Sequence, residues 1–242
     1  MMTISLEELV SEAALLTRLD RKYLIPAAEL PELLDRMPAG VRMLEIDGRR
    51  SFAYRSIYFD TPGLDSYRAA ATGRRRRFKI RIRTYLDSGL DFVEVKTRGA
   101  RGVTVKERIP YEGDGSCLGS AGLSYAAEVL HSAGISPEGF DFRPVMATYY
   151  RRTTLYVPAT GSRVTVDSDL AWMLPDGATR RMPDSVVVET KSARAASDVD
   201  RLLWSLGHRP RRISKYATGL AALRPDLPAN KWHGVLRRHF TS

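Results

Sequence analysis

The chain has 242 residues, 43% of them hydrophobic, and carries 38 Lys and Arg against 28 Asp and Glu, a net charge of +10. That composition supports a packed core and excludes a disordered chain. The single cysteine, Cys117, excludes an internal disulfide and fits a reducing, cytoplasmic setting. Glu7, Glu8 and Glu12 in the opening segment argue against a secretory signal, and no window is apolar enough to span a bilayer. The positive excess calls for an anionic partner: nucleic acid, a membrane surface or a phosphate-rich small molecule. Charge placement has to choose among them.

Ser5 and Glu8 have capping-box spacing, so a short amphipathic helix is expected to about Ala14. A strand follows from about Leu16 to Ile25, broken by Pro26, and Leu30 to Met37 reads as a helix with Pro31 in its first turn. Val41 to Asp47 and Ser51 to Phe59 read as strands around the turn Gly48-Arg49-Arg50, and Gly63 to Ala71 as a short helix ended by Gly73. Three strands come next, about Arg75 to Tyr85, Phe92 to Thr97 and Val103 to Tyr111. They are parted by Asp87-Ser88-Gly89 and Arg98-Gly99-Ala100-Arg101-Gly102, both with turn chemistry. The stretch Glu112 to Ser124 is the best hinge candidate, and Leu123 to Ala133 is a helix closed by Gly134. Strands resume at Pro144 to Val157, Arg163 to Leu170 and Ser185 to Thr190. Helices close the chain at Ala195 to Leu206, Tyr216 to Leu223 and Trp232 to Phe240. About eight strands joined by turns or short helices predict an α+β fold: an eight-stranded antiparallel β-barrel with helices packed outside. One domain should span residues 1–242, with a core of about 16–223.

Side chains alternate across a strand. In Arg77-Phe78-Lys79-Ile80-Arg81-Ile82-Arg83 the cations take one face and the apolar residues the other. Glu94 and Lys96 oppose Val93 and Val95; Lys106 and Arg108 oppose Val103 and Val105; Arg163, Thr165, Asp167 and Asp169 oppose Val164 and Val166; Glu189 and Lys191 share a face. For any one strand, a charged face is ordinarily a solvated face. The set is mostly cationic, however, and its apolar faces are regular enough to pack against outer helices. So many cations cannot line a dry interior, because uncompensated buried charge costs several kcal/mol each. They can line a wet tunnel whose ligand is an anion.

The order of short motifs resembles the VTC-type polyphosphate polymerase domains, a branch of the triphosphate tunnel metalloenzymes. The matching elements begin with Arg18 and Asp20-Arg21-Lys22-Tyr23, then Arg55-Ser56-Ile57-Tyr58-Phe59-Asp60-Thr61 and Lys79-Ile80-Arg81-Ile82-Arg83. They continue with Val93-Glu94-Val95-Lys96, Lys106-Glu107-Arg108, Tyr149-Tyr150-Arg151-Arg152-Thr153 and Arg163-Val164-Thr165-Val166-Asp167. Val188-Glu189-Thr190-Lys191 and Ser214-Lys215-Tyr216 complete the set. The resemblance implies a tunnel in which the γ-phosphoryl of ATP is transferred onto a growing polyphosphate chain, with Mn2+ or Mg2+. It implies that Arg81, Arg83 and Lys215 act on the transferring phosphate. Lys22, Lys96, Lys106, Tyr150, Arg152, Arg163 and Ser214 would bind substrate, and Glu189 would hold the metal. ATP, pyrophosphate and polyphosphate are the implied partners, and a membrane-protein partner is left open. The first strand departs from the wider superfamily's E-x-E-x-K: only Asp20 and Lys22 fit, which weakens a metal site there and favours the polymerase branch over a triphosphatase.

Other readings compete. Hydrolysis of triphosphate or tripolyphosphate would use the same tunnel. A non-catalytic module would bind polyphosphate or nucleic acid. Nucleic acid is disfavoured because its binders place cations on an exposed stripe with stacking aromatics, whereas Phe78, Ile80 and Ile82 oppose the arginines here. Glu189 has an ion-pair reading beside the metal reading. Asp60 reads as a turn or cap residue, the run Arg74 to Arg77 as a steering patch, and Trp172 as packing.

Overall fold

The computed structural model of the chain describes residues 1–12, 19–98, 104–193 and 196–240. The expected helix end at Ala14, strand start at Leu16, the motif residue Arg18, the turn 99–102 and the helix start at Ala195 lie outside these residues. In chain order the elements are β1 (Met2–Ile4), α1 (Leu6–Glu12), β2 (Leu19–Pro26), α2 (Leu30–Asp35), β3 (Arg42–Leu44), β4 (Phe52–Asp60) and α3 (Asp65–Ala71). Then come β5 (Phe78–Tyr85), β6 (Leu90–Arg98), β7 (Thr104–Pro110), α4 (Gly119–Ser132), β8 (Arg143–Val157) and β9 (Ser162–Met173). The chain closes with β10 (Thr179–Met182), β11 (Ser185–Ser192), α5 (Asp198–Ser205), α6 (Lys215–Leu223) and α7 (His233–His239). Among the described residues no helix is long and apolar enough to cross a membrane.

The fold is α+β, built on a large antiparallel sheet. Its main path is β2-β11-β9-β8-β4-β5-β6-β7, with β1, β3 and β10 paired beside it to make eleven strands. The expected strands are therefore the eight of the main path together with β3, expected as Val41 to Asp47 and shorter here, while β1 and β10 were not foreseen. The expected barrel closure differs from the observed pairing: the path has two ends, β2 and β7. β7 behaves as an edge, with Thr104 to Arg108 all exposed. β2 ends at Pro26, as expected to within one residue, and a 3-10 turn begins at Ala27; as its last residue Pro26 is tolerated because β2 lies at an end of the path.

The chain divides into two compact units. The first comprises Met1–Ala53, Tyr150–Leu170 and Arg181–Arg212; the second comprises Tyr54–Tyr149, Ala171–Arg180 and Ile213–Ser242.

In the first unit, the Ser5–Glu8 capping box forms as expected: Ser5 N donates to Glu8 at 2.9 Å and Glu8 N to Ser5 Oγ at 3.2 Å. Tyr23, Ile25, Val164, Val166, Val186 and Val188 point to one side and pack with Leu33 of α2 and with Val199 and Leu203 of α5. Register fixes the other side: Glu189 lies opposite Lys22 on β2 and Thr165 on β9. A second capping box, Ser197 with Asp200, starts α5. The Asp200 carboxylate is fully buried and also accepts from the hydroxyls of Tyr23 at 2.7 Å and Thr190 at 2.6 Å. One side chain thus caps a helix and ties it to two strands.

In the second unit, β5 starts at Phe78, the first side chain of that segment to join the core, rather than at Arg75. Ile80 pairs with Val95 and Ile82 with Val93, and all four pack with Ala126, Val129 and Leu130 of α4. Asp60 is buried, and its carboxylate accepts from the backbone N–H of Thr61 at 2.8 Å, Ser66 at 2.9 Å and Tyr67 at 2.9 Å. The cap expected of Asp60 is thereby formed at the start of α3.

Trp172 is 1% exposed and donates its indole N–H to the Lys215 carbonyl at 2.7 Å. It lies so close to α6 that a Cβ on Gly219 would sit 2.1 Å from its Cδ1. Replacing a helical glycine by alanine normally gains about 1 kcal/mol of propensity. Here overpacking against a buried indole costs about 1–3 kcal/mol and opposes that gain. Gly219→Ala is therefore expected to lower the denaturant midpoint. A midpoint equal to or above that of the parent chain would show that Trp172 yields freely.

Candidate functional site

The register of β5, β6 and β7 decides where the charges of the second unit point. Lys79 pairs with Lys96, Arg81 with Glu94, Lys96 with Lys106 and Glu94 with Arg108, while Arg98 lies opposite Thr104. Paired residues share a face, so Lys79, Arg81, Arg83, Lys96, Arg98, Lys106 and Arg108 all lie opposite the Ile and Val core, with Glu94 as the one carboxylate among them. Arg81 and Arg83 are 8% and 7% exposed. These two are therefore not on a solvated face, which rules out the ordinary reading for β5.

Glu94 organises this face. Its carboxylate accepts from Arg81 Nε at 2.8 Å and also from Arg81 Nη2; Lys106 Nζ is 2.8 Å away and Arg83 Nη1 3.7 Å away. Burial opposes its charge, yet Arg81, Arg83 and Lys106 together hold the carboxyl well below the usual range. Lys106 is exposed as a residue, but its ammonium is drawn in against the buried Glu94, and loss of water there pulls it down to about 8 against the attraction of that carboxylate. Arg81 further donates to Tyr58 Oη at 3.3 Å, and the Arg83 guanidinium lies 5.6 Å from the centre of the Tyr54 ring. Among the described residues the buried Arg83 Nε has no hydrogen-bond partner, nor has the hydroxyl of Ser56, which faces Arg83 across the ladder. Orphaned buried polar atoms are rare and mark a site built for something further.

Ser214 and Lys215 sit at the start of α6. The Ser214 hydroxyl caps that helix by accepting from Ala217 N at 3.3 Å, and it also accepts from Lys79 Nζ at 3.0 Å. Lys79 lies over the stacked rings of Tyr58 and Tyr216. Lys215 is the first residue of α6.

In the first unit the remaining expected residues form a more balanced set. Glu189 is flanked by Lys22 at 3.2 Å and Lys191 at 2.7 Å. Burial works against its charge, but the two lysines and Arg152 hold it well below the usual carboxylate range. Arg152 grips Asp167 with two bonds, 2.6 and 2.8 Å, and its guanidinium lies 5.3 Å from the centre of the Tyr150 ring. Arg163 lies opposite Lys191 in the ladder.

The donor set bears on the expected metal. Among the described residues no three of His, Cys, Asp and Glu come together to hold an ion. Glu189 is a lone carboxylate with two ammonium neighbours. That arrangement does not fit a protein cage. It does fit an ion shared with phosphate oxygens, the usual mode for Mg2+.

Each unit thus gathers its share of the expected residues: Arg81, Arg83, Lys96, Lys106, Ser214 and Lys215 in the second, and Lys22, Tyr150, Arg152, Arg163 and Glu189 in the first. Strand alternation placed Glu94, Lys79 and Lys191 on the charged faces, but sequence reasoning gave none of the three a role in the site and missed the central position of Glu94.

Among curated proteins none matches the chain. Among solved structures, a candidate adenylyl cyclase from Hippeastrum with a dominant triphosphatase activity is 17% identical, with a TM-score of 0.51, 85% of this chain covered and 96% of that one. This likeness shows the fold. A candidate adenylate cyclase from Vibrio parahaemolyticus matches at 11% identity and a TM-score of 0.47, covering 85% of this chain and 98% of that one. A protein from Pyrococcus horikoshii matches at 16% identity and a TM-score of 0.45, covering 84% and 98%. The VTC domain model matches residues 17–224, most of the chain, and the protein belongs to the VTC-domain family.

Proposed function

We propose that the chain is a polyphosphate polymerase that transfers the γ-phosphoryl group of ATP to the end of an inorganic polyphosphate chain. One observation carries this reading: a strand face with seven cations and one carboxylate, two of whose arginines are almost wholly buried. Such a face is stable only with an anion beside it. A chain of phosphates supplies negative charge at regular intervals, which a row of strand-borne cations can follow.

In this reading residues 1–242 act as one functional domain with a core of about 16–223. The terminal oxygen of the polyphosphate acceptor attacks the γ-phosphorus. The bond from that phosphorus to the β–γ bridging oxygen breaks, giving ADP and a chain longer by one phosphate. The acceptor is already ionised, so no general base is needed; the protein has to align oxygens and neutralise charge. Arg81 is preorganised for that task, since Glu94 and Tyr58 hold its guanidinium in place. Arg83 and Lys215 join it on the transferring phosphate. Lys96, Lys106 and Ser214 bind along the chain, as do Lys22, Tyr150, Arg152 and Arg163. Glu189 is the carboxylate that would hold Mn2+ or Mg2+ jointly with phosphate, the ion adding charge neutralisation. ATP and pyrophosphate or polyphosphate are the partners, in a cytoplasmic setting.

Hydrolysis of triphosphate is the second reading. It uses the same cations with water as acceptor, and the triphosphatase activity of the Hippeastrum protein favours it. Purified protein with ATP and Mn2+ separates the two. Chains of growing length on a gel are expected, and orthophosphate as the sole product would overturn the polymerase.

Arg83→Ala is expected to weaken inorganic triphosphate binding by about tenfold or more, the worth of a charge-assisted hydrogen bond, with the fold intact. Calorimetry showing unchanged affinity would remove Arg83 from the site.

The Lys106 ammonium, lowered to about 8, gives the site a pH response. A bound phosphate favours the charged form, so its affinity benefits from Lys106 below that pH and loses the benefit as pH rises through it. Triphosphate affinity compared between about pH 7 and 9 should fall more steeply for the parent chain than for Lys106→Met. Identical profiles would contradict this assignment.

A further inference from the structure

The second unit also carries a cavity of about 480 Å³ whose walls include Arg68, Arg74, Arg76, Asp65, Phe78 and Phe140. Phe78 belongs to the core cluster under α4 and alternates with Lys79 along β5, so this cavity opens on the side of β5 away from the cationic face. Its cations come from α3 and the segment after it, and its apolar wall from the start of β5 and the loop after α4. Arg74 and Arg76 are exposed and make no ion pair among the described residues. Arg68 is anchored by its Nε, which donates to the Gly63 carbonyl at 2.8 Å. Asp65 is fixed by the Thr61 hydroxyl. Phe78 and Phe140 stack at 5.9 Å and 28°.

We propose that this cavity is a second ligand site, separate from the polyphosphate face, and that it takes a nucleoside phosphate. Three kinds of wall match three parts of such a ligand. The unpaired guanidiniums suit a phosphoryl group, which they bind as a fork. The lone carboxylate suits ribose hydroxyls, as acidic residues do in dinucleotide folds. The aromatic wall suits a flat base. Size agrees: about 300–1,000 Å³ is the range of small-molecule sites, far more than an orthophosphate needs. A bare polyphosphate chain would leave the apolar wall unused. The inference does not depend on the polymerase reading, because none of these residues has a part in it.

AMP is the probe, since it lacks the triphosphate that the cationic face would grip. Titration of the full chain with AMP by calorimetry should show saturable binding. The double variant Arg74→Ala/Arg76→Ala should weaken it by about tenfold or more while leaving the thermal midpoint unchanged and lowering inorganic triphosphate affinity far less, by the loss of steering charge alone. Arg83→Ala should leave AMP affinity unchanged. The proposal is overturned if AMP does not bind, if Arg83→Ala abolishes AMP binding while the double variant keeps it, or if ribose 5-phosphate binds as tightly as AMP, which would mean that the aromatic wall contributes nothing.

Discussion

The structure of the second unit depends on one electrostatic imbalance. Seven Lys and Arg side chains share a face with a single carboxylate, Glu94. Removing charge from water is costly, and attraction to a partner repays that cost only when the partner is close and well placed. Glu94 is placed to satisfy Arg81 fully, Lys106 closely and Arg83 at longer range. Lys79, Lys96, Arg98 and Arg108 share the face with it. The strands hold those cations in fixed rows, so they cannot scatter to relieve their repulsion. An anionic ligand would add to the balance, and membership of the VTC-domain family agrees with a phosphate compound in that role.

The first unit solves the same problem differently. Lys22 and Lys191 share Glu189, and Arg152 pairs with Asp167. Charges there are nearly matched within the protein. A ligand entering such a set competes with existing ion pairs instead of filling a deficit, so it gains less from each contact. The larger excess of cations therefore lies on β5, β6 and β7.

Much of this was legible in the sequence because period-two alternation is a local property. Arg81 and Ile82 face opposite sides whatever else the chain does, and the ladder between β5 and β6 preserved that expectation residue by residue. The Ser5 capping box was equally local. Long-range features were not legible. β1 and β10 are short and gain their identity only from their partners β3 and β9. The hydroxyls of Tyr23 and Thr190 make Asp200 a clamp, and both lie on other elements, so its sequence neighbourhood does not show that role. Trp172 was expected to pack, but nothing in the sequence said that Gly219 would be the residue that admits it. Barrel closure was inferred from strand count, and a count carries no information about whether the end strands pair.

Stability and function are joined most tightly around Tyr216. Its hydroxyl donates to the buried Asp60 carboxylate, which also caps the start of α3. Burial pushes the Asp60 carboxyl up despite those hydrogen bonds, and it pushes the Tyr216 phenol well above its usual range. The Tyr216 ring stacks on Tyr58 with centroids 5.0 Å apart, and the Tyr58 hydroxyl accepts from Arg81. Lys79 lies over both rings and donates to Ser214, the cap of α6. The side chains that start two helices are therefore the ones that set the height and direction of two cations. A substitution at Asp60 or Tyr58 cannot be read as purely structural, because the arginine and lysine resting on those groups would shift with them. A site built to neutralise phosphate needs its charges fixed before the ligand arrives, and here that rigidity is drawn from the same hydrogen bonds that end the strands and begin the helices.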